Sequence, residues 1–174
     1  MTEPRTVERR APELWGEVDG ARFIADLARG GTWDAPHAQL LGYRIVAVSP
    51  GRIELDWEVP EALLNPAGIA HGGFLVALLD DAAGLAVASR YPRFVPQLTV
   101  QLTTDFLAAV PPGVTHRVEG TLVRGGRSTN VADAVLRSPD GAVLTRCTGI
   151  FQPNRAVVPR EHWHEAGLGS GGPA

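Results

Sequence analysis

The stretch that decides the fold, residues 65–81, reads NPAGIAHGGFLVALLDD. Turn-forming residues open it, His71-Gly72-Gly73 follow, and only Asp80 and Asp81 interrupt the apolar run behind them. A run this apolar predicts a buried helix, which would extend to about Arg90. A buried carboxylate is costly unless it is paired, hydrogen-bonded or protonated, so the two acids are the first candidates for function.

A helix from Gly72 to Arg90 would be about 27 Å long, close to the thickness of a bilayer core. Two adjacent carboxylates in mid-span, with no basic or aromatic anchors before the helix, argue against a membrane span. We therefore expect a central helix enclosed by the protein's own sheet. Asp80 shares one helical face with small residues such as Gly84, whereas Asp81 lies about 100° further round the helix.

Composition narrows the class of protein. The 174 residues are enough for one domain with a core, and the net charge of −3 gives no support for nucleic-acid binding. The one cysteine, Cys147, excludes an internal disulfide and fits a reducing cytosol. The charged N-terminus has no apolar signal segment. We therefore expect a cytoplasmic protein with neither nucleic acid nor membrane as partner.

The rest of the chain has mainly the alternating pattern of strands. Asp19 is expected to cap a short amphipathic helix that ends at about Arg29, within an N-terminal extension of residues 1–36 whose first 16 residues are loosely held. Two strands precede the long helix and four follow it: Tyr43–Val48, Arg52–Val59, Gln97–Ala108, Val114–Val123, Ser128–Ser138 and Ala142–Gln152. This order predicts an α+β fold in which one antiparallel sheet curls around one helix. Residues 153–174 turn polar and are expected to form a disordered tail.

The chain resembles the PaaI-like group of hotdog-fold acyl-CoA thioesterases over about residues 37–152. The motif that carries this resemblance is Asn-x-x-Gly-x-x-His-Gly-Gly followed seven residues later by Asp, and the combination is specific for the family. The matching segments are Leu40-Leu41-Gly42-Tyr43, Ser49-Pro50-Gly51-Arg52, Asn65-Pro66-Ala67-Gly68, His71-Gly72-Gly73, Leu78-Leu79-Asp80, Thr99-Val100-Gln101-Leu102, Phe106-Leu107 and Gly126-Arg127-Ser128. The resemblance implies a long helix wrapped by a strongly curved antiparallel sheet, and it implies acyl-CoA thioester hydrolysis.

The resemblance also implies roles for individual residues. Asp80 would be the nucleophile or general base, and the backbone N–H of Gly72 would polarise the thioester carbonyl. Asn65 and His71 would orient substrate or water, and Thr99 would assist Asp80. A proline that relatives often place after the Phe106-Leu107 pair is absent, and Asp81 could share the role of Asp80.

Substrate-binding residues are expected at Gly73, Arg127 and Ser128. Arg127 could grip the phosphates of coenzyme A, although a solvated arginine in a turn is the alternative. No metal or other cofactor is expected, because coenzyme A is part of the substrate. His162-Trp163-His164 has no acid or cysteine beside it at ligand spacing.

The spacing within the helix bears on assembly. Eight residues separate Gly72 from Asp80, so their backbones differ by about 12 Å along the axis. One thioester carbonyl cannot touch both groups of the same subunit. We therefore expect a homodimer, or a dimer of dimers, with composite sites related by a two-fold axis.

Other functions remain open from the sequence. One alternative is a hotdog-fold hydratase or dehydratase, although the resemblance places the acid of those enzymes on the loop before the helix. Another is a non-catalytic acyl-CoA-binding protein. Asp80 could be a structural tie and His71 a buried histidine bonded to backbone.

Overall fold

The computed structural model describes residues 18–29 and 35–169. Within these residues there are three α-helices: α1 (Gly20–Arg29), α2 (Pro36–Leu41) and α3 (Gly72–Ser89). The strands are β1 (Arg44–Ser49), β2 (Arg52–Trp57), β3 (Gln97–Phe106), β4 (His116–Arg124), β5 (Asn130–Arg137) and β6 (Val143–Pro153). They begin and end within two residues of the predicted positions. The expected loose segment at residues 1–16 lies outside the described residues.

The six strands form one antiparallel sheet in the order β1-β2-β4-β5-β6-β3. Helix α3 packs against this sheet and contacts all six strands, so the predicted α+β architecture is confirmed. Alternation in β2 buries Ile53, Leu55 and Trp57 toward the helix. A Cβ at Gly120 of β4 would lie 2.1 Å from the carbonyl oxygen of Ala82, so glycine is what lets the helix approach the sheet this closely.

Both ends of α3 are fixed by side chains. At the start, Nδ1 of His71 accepts a hydrogen bond from the N–H of Gly73 at 3.1 Å. At the end, the hydroxyl of Ser89 accepts from the N–H of Gly51 at 2.9 Å and lies 3.0 Å from the carbonyl of Ser49. By length and composition α3 could cross a membrane, but 56% of it is buried inside the fold. That burial is typical of the core helix of a globular domain.

The N-terminal part contains one confirmed helix and one unexpected helix. The Oδ1 of Asp19 accepts from the N–H of Arg22 at 2.8 Å, which is the predicted cap of α1. Helix α2 was not predicted from the sequence. Pro36 stands in its first turn, and Gly42 ends it in the left-handed region at φ 73°. With six residues, α2 is too short for the apolar periodicity that reveals longer helices.

The prediction of disorder after residue 153 is wrong for residues 153–169. Short 3-10 turns form at Arg155–Val157 and Arg160–His162, and Val158, Ala166 and Leu168 are buried. The Nε1 of Trp163 donates to the carbonyl of Val158 at 2.9 Å. A few well-placed apolar residues anchor this segment, although its average composition is polar.

Candidate active site

Asp80 lies in the wall of a cavity of about 180 Å³ between α3, the loop before β3 and residues that precede β1. Phe94, Leu85 and Phe151 contribute apolar surface to the cavity, and Thr99 lines it near Asp80. Gly84, one helical turn after Asp80, also lines it and leaves room because it has no side chain. The cavity is therefore a largely apolar space with a carboxylate at its wall, which is typical of small-molecule sites.

The Asp80 carboxylate is held by one strong hydrogen bond. The hydroxyl of Thr99 donates to Oδ1 of Asp80 at 2.8 Å. A register shift between Thr99 and Gln101 in the pairing of β3 with β6 lies beside this contact, and such bulges re-aim side chains. Burial raises the pKa of Asp80 above its ordinary 3.8, while the hydrogen bond from Thr99 and the charge of His37 oppose the rise. The predicted pairing of Asp80 with Thr99 is thus present in the structure.

Asp81 lines the same cavity, despite its offset around the helix. Its Oδ1 lies 3.1 Å from Nε2 of His37. Its Oδ2 and the hydroxyl of Tyr43 are both buried, and among the described residues neither has a partner that meets hydrogen-bond geometry. Burial raises the pKa of Asp81, and the charge of His37 is the main opposing effect. Burial, followed by the nearby Asp81 carboxylate, raises the pKa of Tyr43.

The start of α3 is a separate place, and its residues do not line the cavity. The N–H of Gly73 is taken by His71, whereas the N–H of Gly72 has no hydrogen-bond partner among residues 18–29 and 35–169. Asn65 closes the preceding loop, because its Oδ1 accepts from the N–H of Ala67 at 2.9 Å. His71 is exposed and acts as a helix cap, so it is not a buried histidine.

Arg127 and Ser128 lie in the turn between β4 and β5, and both are exposed. The turn is anchored by Asn130, whose Oδ1 accepts from the N–H of Gly126 at 3.2 Å and whose amide donates to the hydroxyl of Tyr91 at 2.9 Å. The ion pairs found among the described residues do not include Arg127, so its guanidinium has no carboxylate partner there.

The turn lies at the same end of the sheet as Thr99. Asn130 of β5 pairs with Phe151 of β6, and Phe151 pairs with Thr99 of β3, so the three residues form a row across the strands. Neighbouring strands are about 4.8 Å apart, which puts Asn130 about 10 Å from Thr99. Arg127 precedes Asn130 by three residues and therefore lies at the same end of the strands as Thr99.

Two residues that line the cavity, His37 and Tyr43, were not predicted from the sequence as functional. His37 received no predicted role, and Tyr43 entered only as the start of a predicted strand and within a segment that carries the family resemblance. His37 and Asp81 are 44 residues apart in the sequence, so no local motif could reveal their contact. Phe94 and Pro96 of the loop before β3 also line the cavity, whereas Phe74, Val76 and Leu78 of α3 do not.

Comparison with known proteins shows which family the chain resembles. Residues 61–152 match the family described as the acyl-CoA thioesterase N-terminal domain. The 1,4-dihydroxy-2-naphthoyl-CoA hydrolase of Listeria monocytogenes is 28% identical over 113 residues, which cover 63% of this chain and 90% of that protein.

Solved structures agree with this match. A Streptococcus mutans protein bound to acetyl CoA is 26% identical with a TM-score of 0.61, and the match covers 65% of this chain and 89% of that one. The PaaI protein of the E. coli phenylacetic acid degradation operon shows the same fold, with a TM-score of 0.68 at 22% identity over 77% of this chain and 93% of that one. Because the family match spans more than half of the 174 residues, the chain belongs to the acyl-CoA thioesterase N-terminal domain family, and it is a thioester hydrolase of the hotdog fold.

Proposed function

We propose that the protein hydrolyses an acyl-CoA to the free acid and coenzyme A at sites shared between two subunits. Asp80 supplies the reacting carboxylate, and the N–H of Gly72 from the other subunit polarises the thioester carbonyl. The observation that carries the proposal is a partly buried carboxylate, fixed by Thr99 at the wall of a cavity of acyl-group size.

Thioester hydrolysis requires a hydrogen-bond donor for the carbonyl oxygen and a group that attacks the carbonyl carbon or activates water. Negative charge develops on the carbonyl oxygen, and a hydrogen-bond donor placed there lowers the barrier. The unpaired N–H of Gly72 at the positive end of α3 suits this task. The Asp80 carboxylate either attacks the carbonyl carbon, which expels the coenzyme A thiolate and leaves an anhydride for water to open, or removes a proton from the attacking water. Both routes give acid and thiol.

The composite site rests on distance and on an unpaired sheet edge. Gly72 and Asp80 lie on one helix and are about 12 Å apart along its axis. Strand β3 forms an edge of the sheet, and four large apolar residues at this edge are about half exposed: Leu98, Val100, Phe106 and Leu107. An edge of this kind favours pairing with a second copy. We propose a homodimer, or a dimer of dimers, that uses this edge.

The size of the cavity bounds the acyl group. A protein cavity of about 150 Å³ accommodates a benzene molecule, and the cavity beside Asp80 measures about 180 Å³. Its apolar walls suit a short aliphatic chain or one aromatic ring. The Listeria monocytogenes relative is named as a hydrolase of a coenzyme A thioester, and the Streptococcus mutans protein is bound to acetyl CoA. We therefore propose that the other part of the substrate is coenzyme A. Arg127 and Ser128 would hold that part, and Gly73, whose N–H is bonded to His71, would give it room because it has no side chain.

The test is a steady-state assay with a thiol reagent on acetyl-, hexanoyl- and phenylacetyl-CoA. Asp80→Asn should lower kcat by about 100-fold or more while KM changes little, because the acid acts mainly in the transition state. Asp81→Asn is the matched control and should cost much less turnover.

Three results would contradict the proposal. The opposite ranking of the two variants would give the catalytic role to Asp81. Hydration of an enoyl-CoA without thiol release would identify a hydratase, and binding without turnover would identify a non-catalytic acyl-CoA-binding protein.

A further inference from the structure

The cavity contains a histidine that has no assigned role. Nε2 of His37 lies 3.1 Å from Oδ1 of Asp81, and both residues line the cavity beside Asp80. Since Nε2 faces the Asp81 carboxylate, Nδ1 is the ring nitrogen left for the cavity or solvent. The contact therefore joins an imidazole to the acid adjacent in sequence to the proposed reacting group.

The short helix α2 holds His37 in this place. The N–H of Gly42, in the left-handed conformation, donates to the carbonyl of Ala38 at 2.8 Å and closes the helix. The indole N–H of Trp57 donates to the carbonyl of Leu41 at 2.7 Å, and Leu41 itself is buried. A helix of six residues is marginal alone, so these contacts with β2 are what fix it.

The position of His37 matters because two carboxyl groups stand side by side on α3. Two nearby carboxylates disfavour each other's ionisation, whereas a nearby cation favours it. The other titratable groups near Asp80 carry no positive charge: burial raises the pKa of Cys147 to about 11, and the pKa of Tyr43 is raised as well. Thr99 contributes a neutral hydroxyl. Among the described residues that line the cavity, His37 is the one side chain that can carry a positive charge.

We propose that His37, anchored by Asp81, is a positioning residue that keeps the Asp80 carboxylate ionised during catalysis by offsetting the negative charge of Asp81. The inference rests on the proposed function, in which Asp80 must be deprotonated to react. Asp81 then has a role of its own, because it fixes the imidazole beside the reacting acid. His37 touches neither substrate nor the reacting bond and acts through Asp80.

The experiment is the pH profile of kcat/KM for acyl-CoA hydrolysis. Burial raises the pKa of Asp80, so the wild-type profile should fall on the acid side at a midpoint above 3.8. In His37→Gln the amide can still donate a hydrogen bond but carries no charge, so the acid limb should move up by about one pH unit. Relative to the variant's own plateau at higher pH, activity on the limb then drops about tenfold.

Two further variants separate charge from structure. In the double variant His37→Gln with Asp81→Asn, both charges are absent, so the limb should move back toward the wild-type position. His164→Gln removes an exposed imidazole outside the cavity and should leave the profile unchanged.

Specific outcomes overturn the inference. A limb that does not move in His37→Gln, or a profile scaled down equally at every pH, would show that the charge of His37 does not act on Asp80. A double variant whose limb stays displaced would remove Asp81 from the argument. If Asp80→Asn keeps full activity, the proposed function itself fails. If Asp80→Asn is inactive and the limb of His37→Gln stays in place, this inference alone fails.

Discussion

Replacing Gly72 with proline would remove one backbone N–H and leave the helix in place. His71 has φ −70° and ψ 131°, the extended conformation that residues before proline favour. Position 72 is the first residue of α3, where proline is well tolerated. An ideal Cβ there would lie 3.4 Å from the ring of Phe106, at the near edge of ordinary van der Waals contact. We therefore expect Gly72→Pro to fold.

The expected loss of activity follows from the proposed role of that N–H. Removing one donor from an oxyanion site typically lowers kcat by about 10²- to 10³-fold. Gly72→Ala is the matched control, because it adds the same Cβ and keeps the N–H. It should stay within a few-fold of wild type. Asp80→Ala should lose activity as severely as Gly72→Pro, for a different chemical reason.

Mixing the two inactive variants tests the 12 Å separation. In a mixed dimer, one site receives an intact Gly72 from one chain and an intact Asp80 from the other, while the second site has neither. Each heterodimer should therefore recover about half of the wild-type activity, and random exchange of equal amounts should recover about a quarter overall. Thiol release is measured after reassociation, and native mass spectrometry gives the heterodimer fraction.

The result that refutes this reasoning is equally definite. If fully exchanged heterodimers stay inactive while circular dichroism shows both variants folded, Gly72 and Asp80 do not meet across an interface. Sedimentation at the 18.5 kDa mass of one chain, with activity retained, would refute it as well.

Other predictions concern the cavity, the turn arginine and the buried acid. Thr99→Ala should lower kcat about tenfold through loss of a charge-assisted hydrogen bond to Asp80, and Thr99→Ser should restore most of it; equal kcat values in the two variants would contradict this. Gly84→Ala places a Cβ 3.5 Å from the Phe151 ring, an ordinary contact, so the protein should fold but lose kcat/KM for phenylacetyl-CoA relative to acetyl-CoA. Arg127→Gln should raise KM for coenzyme A thioesters with kcat unchanged, and an unchanged KM would identify a merely solvated arginine. Asp80→Asn should raise Tm at pH 7, because burial raises the pKa of the carboxyl and its ionised form therefore destabilises the fold. The increase in Tm should shrink as pH falls toward 3.8, because the wild-type carboxyl becomes protonated. Thermal melts of both proteins between pH 4 and 8 would check this.

The sequence predicted those parts of the fold that extend over many residues. The apolar run of α3 and the alternation of β2 each repeat a period several times, so they identified the element and its buried face. The pairing of Thr99 with Asp80 came from the family resemblance, because a contact across 19 residues leaves no periodic trace.

The parts that the sequence did not predict depend on tertiary contacts. Six residues of α2 contain too little periodicity, although Pro36 and Gly42 marked its ends. Asp81 was expected about 100° round the helix from Asp80, yet both acids line one cavity, because its wall extends over both helical faces and includes Gly84, Leu85 and Ala88. The C-terminal segment was judged by its mean polarity, whereas three buried residues decide how it packs.

The match to the thioesterase family begins at residue 61, whereas the cavity wall begins at His37. The reacting helix and part of the wall around it therefore belong to different stretches of the chain. A substitution confined to residues 35–43 can reshape the cavity and leave Asp80 and Thr99 untouched. Such substitutions can change the acyl group that the cavity accepts while α3 keeps the reacting acid, provided that His37 is retained. Exchanging that short N-terminal stretch between relatives would transfer part of the cavity wall, together with His37 and its contact with Asp81.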